Sequence, residues 1–370
     1  MRWLLLIPLV PYLFILLKIY RNLSKINKFS YGINPGVKVS VIIPCKNESS
    51  RIGNILQDLA GQNYPENEFE VIVVDDNSTD NTTGIATAFK GISHFQILRN
   101  KHEGKKMAIR TGTEAATGEL IITTDADCRA GKKWVSSVAS FYNMYKPDLI
   151  ICPVSLESGH SFPGKFQELE FLALQGITAG SAAGNKSTMC NGANLAFRRS
   201  TYHNHSANLQ YDINSGDDIF LLQSIKKEEG SDIRWLESED SMVTTSKADT
   251  LSGFLAQRKR WISKISAYSD RFTVLLGIVT FVTIISEIAL LISSLFNIGY
   301  LFPYIIFFVL KSVPDFLILK NTATRYHKKE LMKWFLPSRL IYPFYVLLVV
   351  SYPVVATAGK IISSPFRKGI

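Results

Sequence analysis

The chain has 370 residues, enough for one large domain or two ordinary ones, and 46% of them are hydrophobic, with the excess gathered at the two ends. Its net charge of +10 clusters beside the apolar runs. There each basic residue is worth about 1 kcal/mol against anionic lipid headgroups, and this placement argues for contact with membrane lipids and no nucleic acid. The four cysteines (Cys45, Cys128, Cys152, Cys190) and six histidines show no ligand spacing, which argues against a zinc site and leaves reduced thiols in a cytoplasmic domain.

Residues 3–17 are almost wholly apolar and are followed at once by Lys18, Arg21, Lys25 and Lys28. A cleaved signal peptide is the rival reading, but no small-residue cleavage site follows. Residues 1–21 therefore read as an uncleaved anchor, and the positive-inside tendency puts Lys18 onward in the cytoplasm.

Residues 38–44 read as a strand, and Ile52, Ile55, Leu56 and Leu59 recur at helical spacing with Ser49 or Ser50 as cap. The alternation continues through strands at 69–74, 94–98, 120–124 and 149–154, and helices at 80–90, 105–116 and 132–145. This period predicts βαβ units and an α/β fold with a mainly parallel sheet. Further on, 162–176 reads as an amphipathic helix, the Gly-, Ala-, Ser- and Asn-rich stretch 180–194 as loop, and 254–268 as helix.

Apolar runs return at 272–296, 300–319 and 340–362, the last interrupted by Pro343 and Pro353. A spanning helix needs roughly 20 apolar residues, so about three C-terminal spans are predicted within 271–370. Tyr326–Lys329 would be cytoplasmic, whereas Arg367 and Lys368 fall on the wrong side of a full last span. That segment reads as re-entrant or interfacial. Glu287 reads as the one acid deep in an apolar span, a functional candidate by default, although a single acid makes no pathway and could be paired with a neighbouring helix.

Two apolar runs stop on carboxylates: Val73-Val74-Asp75-Asp76-Asn77, and Ile121-Ile122-Thr123-Thr124-Asp125-Ala126-Asp127. Carboxyl ends of parallel strands form the ligand crevice of such sheets. Alternate acids at Asp125 and Asp127 suit Mg²⁺ or Mn²⁺, which use one or two carboxylates and complete their shell with substrate phosphates. Asp-x-Asp alone is often a solvated turn; the apolar run before it and the second acidic strand end favour a site. Asp76 could accept from a base or ribose, or belong only to a capping turn. Pro44-Cys45-Lys46-Asn47-Glu48 would wall the same pocket.

Gly104-Lys105-Lys106 opens a helix where free N–H groups and Lys105 suit a diphosphate, though such lysines usually face water. Asp217 and Asp218 could merely favour a helix N-terminus; one reaching the crevice could take a proton from an attacking hydroxyl. Gln257-Arg258-Lys259-Arg260-Trp261 offers a guanidinium and a flat indole. The bland reading is a juxtamembrane basic belt with an interfacial Trp.

Taken in order, these motifs, together with 191–197, resemble family 2 glycosyltransferases of the GT-A fold, specifically membrane-embedded synthases such as those for cellulose, hyaluronan, chitin and poly-N-acetylglucosamine. The likeness covers roughly residues 37–270 and suggests a catalytic domain over 36–270. It implies that Asp76 contacts the base beside Pro44, Asn47 and Glu48. Lys105 and Asp125 would bind the donor, and Asp125 and Asp127 would hold its diphosphate through the metal. Asp218 would be the general base with Asp217 beside it, and Gln257, Arg260 and Trp261 would line the acceptor and diphosphate. Gly216-Asp217 departs from the commoner Thr/Gly-Glu of the family.

The resemblance further implies an inverting, metal-dependent transferase with a cytoplasmic catalytic domain, multi-pass in a bacterial inner or plasma membrane. Its donor would be a nucleotide sugar, with UDP the favoured carrier. The acceptor is a growing β-glycan or, as in ceramide glucosyltransferase, a lipid given a single sugar. About four spans are thin for a polymer channel in one chain, so an export subunit is left open.

Overall fold

The computed structural model describes residues 2–30, 36–213 and 215–362, with side chains described as far as Ser351. The ten strands are β1 (Val39–Cys45), β2 (Phe69–Asp75), β3 (Phe95–Arg99), β4 (Leu120–Thr123), β5 (Arg129–Ala130), β6 (Leu149–Ile151), β7 (Val154–Glu157), β8 (Leu195–Arg198), β9 (Ile233–Trp235) and β10 (Val243–Ser246). The helices are α1 (Leu9–Ser24), α2 (Ile52–Ala60), α3 (Thr82–Ala88), α4 (Lys105–Ala115), α5 (Trp134–Tyr145), α6 (Phe162–Ala183), α7 (Arg199–His205), α8 (Asp217–Ile225), α9 (Leu251–Ile262), α10 (Arg271–Phe296), α11 (Leu301–Arg325) and α12 (Phe335–Ile362).

Seven strands form the main sheet in the order β3-β2-β1-β4-β8-β6-β9, and β5-β10-β7 form a small second sheet. In the main sheet only β8 runs against its neighbours. This is an α/β fold with a mostly parallel sheet. All seven residues of β1 and of β2 are buried, the signature of strands covered on both faces. Their two-residue period divides the core. Val39, Val41 and Ile43 pack with Ile55 and Leu56 of α2 and Trp134 of α5. Ile42, Ile72 and Val74 pack on the other side with Ala108 and Ile109 of α4.

That second core continues into Leu16, Ile19 and Leu23 of α1 and Ile318 of α11, so the sheet is packed directly onto apolar helices. Among the described residues four helical segments are long and apolar enough to cross a membrane: Arg2–Ser24, Arg271–Phe296, Ile298–Arg325 and Lys329–Ser351. Helix α12 runs on through Pro343 without interruption. Arg367 and Lys368, which prompted the re-entrant reading, lie outside the described residues.

Several expectations need correction. The predicted loop at 180–194 is helical to Ala183. Small residues along the end of α6 are there for close packing: a Cβ on Gly180 would sit 2.5 Å from the Ile19 carbonyl oxygen, and one on Gly176 would sit 2.3 Å from Thr322 Oγ1. Strand 149–154 divides at Pro153, beyond which β7 joins the second sheet. Arg51, not Ser49 or Ser50, precedes α2 and caps it with no side-chain bond. The predicted helix at 254–268 is helical only to Ile262, followed by a short 3₁₀ turn at Ile265–Ala267.

Glu287 is not an isolated acid. Helix α11 also carries buried Lys311, which pairs with Asp315 at 3.0 Å, and Glu287 pairs with Arg339 of α12 at 2.7 Å. The predicted span 300–319 contained both α11 charges, and their spacing of four residues puts them on one helix face.

Candidate active site

The site begins where β1 and β2 end. Asn47 stands at φ 57° and Asn77 at φ 58°, left-handed positions that Asn tolerates better than most residues. Their loops are stitched together: Asn47 N donates to Ser78 Oγ at 2.9 Å, and Asn47 Oδ1 accepts from Thr79 N at 2.8 Å. Pro44 lies within β1 opposite Val74.

Asp76 is buried beside these loops, and its oxygens are engaged. It accepts from Asn100 Nδ2 at 2.7 Å and from Gly104 N at 2.9 Å, with Lys46 Nζ at 3.8 Å. Gly104 has φ 108°, a conformation that excludes ordinary side chains. Asp76 thus anchors the turn that launches α4 and positions Lys105 at its first residue.

Lys105 is the hub. Its ammonium pairs with Asp125 just past β4. Burial disfavours the charge, but Asp125, Asp217 and Asp218 outweigh it and hold Lys105 above its usual range. Asp217 and Asp218 open α8 after Gly216, which stands at φ 90°. Burial pushes the Asp217 carboxyl up, Lys105 opposes this, and Asp218 and Asp125 add to it. Asp218 is held by two backbone donors, Gly192 N at 3.1 Å and Ile219 N at 2.7 Å, with Lys264 Nζ at 3.7 Å.

A second group adjoins the first. Arg51 reaches Glu48 at 2.9 Å and Asp127 at 3.7 Å, and Thr245 Oγ1 lies 3.5 Å from Asp127. Burial raises the Asp127 carboxyl, and the neighbouring Asp125 raises it further. Burial likewise raises Glu48; Arg51 opposes it, and Asp127 and Asp125 reinforce it. Acids from the ends of β1 and β4 and from the start of α8 therefore sense one another's charge.

Among the described residues no group of three or more His, Cys, Asp or Glu side chains could hold a metal ion. Asp125 and Asp127 are two mutually repelling oxygen donors. That set fits a hard cation whose remaining ligands come from substrate phosphates; it does not fit a metal caged by protein alone.

Gln257, Arg260 and Trp261 lie on the last turns of α9. Trp261 is half-buried against the sheet's first core cluster, and Arg260 is exposed. The buried guanidinium of this stretch is Arg258, 4.1 Å from the Trp261 ring centroid and 2.7 Å from Gln257 Oε1. Sequence reasoning did not single out Arg51, Asn100, Lys264 or Thr245, and within the Gln257–Trp261 stretch it gave the role to Arg260 and not to Arg258. Asn100 had a signal, a polar residue directly after a strand; Arg51, Lys264 and Thr245 had none.

Residues 40–205 match the family described as glycosyl transferase family 2. Poly(ribitol-phosphate) beta-N-acetylglucosaminyltransferase TarS of Staphylococcus aureus is 30% identical over 129 residues, 34% of this chain and 22% of TarS. Undecaprenyl-phosphate 4-deoxy-4-formamido-L-arabinose transferase of Aeromonas hydrophila is 39% identical over 98 residues, 24% of this chain and 28% of that protein. The matches thus span only about a quarter of these relatives' lengths. Mannosyltransferase PcManGT from Pyrobaculum calidifontis, solved with GDP-Man and Mn²⁺, superposes with a TM-score of 0.51 at 17% identity, covering 92% of this chain and 98% of that one. Sequence match and superposition agree: residues 40–205 form a glycosyl transferase family 2 domain, and the fold is of the GT-A kind.

Proposed function

We propose that the protein is a membrane-bound inverting glycosyltransferase that moves a sugar from a nucleotide donor, with UDP as the favoured carrier, to a growing β-glycan. The observation that carries this reading is the convergence on Lys105 of Asp125, just past β4, and of Asp217 and Asp218, at the start of α8, beside a sheet packed against apolar helices.

In this reading the diphosphate lies against the N-terminus of α4, where free N–H groups and Lys105 favour an anion. Asp76 orients the turn that positions them, and Pro44, Asn47 and Glu48 line the nucleoside side. A divalent cation held by Asp125 and Asp127 would supply neutralising charge to the leaving diphosphate. Asp218, fixed by Gly192 N and Ile219 N, takes the proton from the acceptor hydroxyl. The hydroxyl oxygen bonds to the anomeric carbon as the bond from that carbon to the diphosphate oxygen breaks, and the diphosphate leaves with the electron pair. In this reading Arg260 and Trp261, on the helix before α10, hold the acceptor at the membrane face.

A second reading, one sugar added to a lipid acceptor, has its own support: the relative named for undecaprenyl-phosphate matches at 39% identity, and α9 stacks directly on apolar helix α12 through Phe254 and Tyr345, 5.6 Å apart.

The test is transfer from radiolabelled nucleotide sugars by purified full chain in membranes, followed by product sizing. A ladder supports the glycan reading, and a single added sugar supports the lipid one. Asp218→Asn should lower transfer by about 10²–10⁴-fold, the range of general-base catalysis, while leaving the chain membrane-inserted. Equal rates in variant and wild type would remove Asp218 from the chemistry.

A further inference from the structure

The motif helix α9 is clamped to two other elements through one buried carboxylate. Glu170 of α6 and Arg258 of α9 have side-chain exposures of 9% and 5%. The guanidinium meets Glu170 through two nitrogens, with Nε at 2.9 Å from Oε2 and Nη2 also on that oxygen. Glu170 Oε1 accepts from the Tyr345 hydroxyl of α12 at 2.6 Å. The remaining arm of the guanidinium, Nη1, donates to Gln257 Oε1 at 2.7 Å, and its plane lies 4.1 Å from the Trp261 centroid. One guanidinium therefore holds Gln257 and Trp261, two of the three side chains assigned to the acceptor end.

Such an arrangement is more than filler. A buried charge pair costs desolvation, so an apolar pair of the same volume would hold α6 and α9 together equally well or better. An apolar residue could not orient a Gln amide and an indole together; a planar fork with fixed donors can. We infer that Glu170 is a positioning residue for the transfer reaction. It fixes Arg258, and through Arg258 it sets the Gln257 amide and the Trp261 ring. Tyr345 ties this setting to the apolar helix α12, so the geometry of the acceptor end depends on the seating of that helix. This inference rests on the proposed transferase reading.

The experiment uses the full chain in nanodiscs, with Glu170→Gln, Tyr345→Phe and the charge-neutral pair E170Q/R258Q. Three quantities are read: nucleotide-sugar turnover, affinity for the nucleoside diphosphate alone, and Trp261 emission in a background where the other tryptophans are Phe. Expected results are at least a tenfold loss of turnover in E170Q and a smaller loss in Y345F. Diphosphate affinity should stay within twofold and Trp261 emission should shift. The double variant should regain thermal stability, since no buried charge is left unpaired, yet stay as slow as E170Q. A purely structural pair would behave differently, with turnover recovering together with stability in the double variant; that recovery, or an E170Q enzyme within twofold of wild type, overturns the inference. Absence of turnover in the wild type would count against the transferase reading, and an unshifted Trp261 emission in E170Q would then still overturn the positioning role.

Discussion

Replacing Arg339 by Leu should be among the most damaging single changes in the apolar helices. Arg339 and Glu287 each have a side-chain exposure of 3% and are 2.7 Å apart. Arg339 Nε also donates to Ser312 Oγ at 3.1 Å and stands 3.9 Å from Asp315, while Asp315 pairs with Lys311 and accepts from the Tyr12 hydroxyl. The cluster holds two cations and two acids. Without Arg339 the cluster keeps two acids against one cation, Lys311 stays with Asp315, and Glu287 loses its partner in an apolar setting. Stranding one charge of a buried pair costs about 3–5 kcal/mol. Glu287→Leu should cost less, because Arg339 keeps Ser312 and can lean on Asp315. The double variant E287L/R339L leaves Lys311 and Asp315 matched and should return to within about 1 kcal/mol of wild type, or exceed it. Unfolding free energies measured by denaturant titration in bicelles, read by tryptophan emission, give the cycle. A cost below about 1 kcal/mol for R339L, or a double variant as weak as the single, would refute the idea that the pair is buried and mutually dependent.

Two further outcomes follow from the packing and the charges. Gly180→Val should destabilise the α1–α6 contact by about 1–3 kcal/mol, because the new Cβ meets a backbone carbonyl at 2.5 Å; thermal unfolding in nanodiscs measures it. Asp217→Asn should lower turnover yet stabilise the fold at neutral pH. The folded chain holds the Asp217 proton more tightly than the unfolded chain does, through burial first and then Asp218 and Asp125. Wild-type stability therefore falls as pH rises through the folded pKa. The gain from Asn should shrink as pH drops through the ordinary carboxylate range, and thermal melts across pH would show whether it does.

The order of the main-sheet strands β1 to β4 and β6, with the helices between them, was legible because these strands are largely apolar runs and each helix carries its own stripe; the two-residue β5 was not. The acids at strand ends were legible for a related reason: a buried run that stops on carboxylates must deliver them to the crevice. The reach of Asp76 toward Gly104 was not. Neither was the grip of Glu170 on Arg258, 88 positions away, since nothing local in either segment names the other.

Local pattern by itself determined the α/β class, the apolar ends and the identity of the acids, because periodicity and hydropathy act over a few residues. Only the tertiary structure decided that 180–183 is helix rather than loop, as a run of small residues fits either until the neighbouring backbone is known. It also decided which arginine is buried. Arg258 and Arg260 are alike in sequence, but one turns toward Glu170 and the other toward solvent, and a helix sets that choice only when its partner faces are in place.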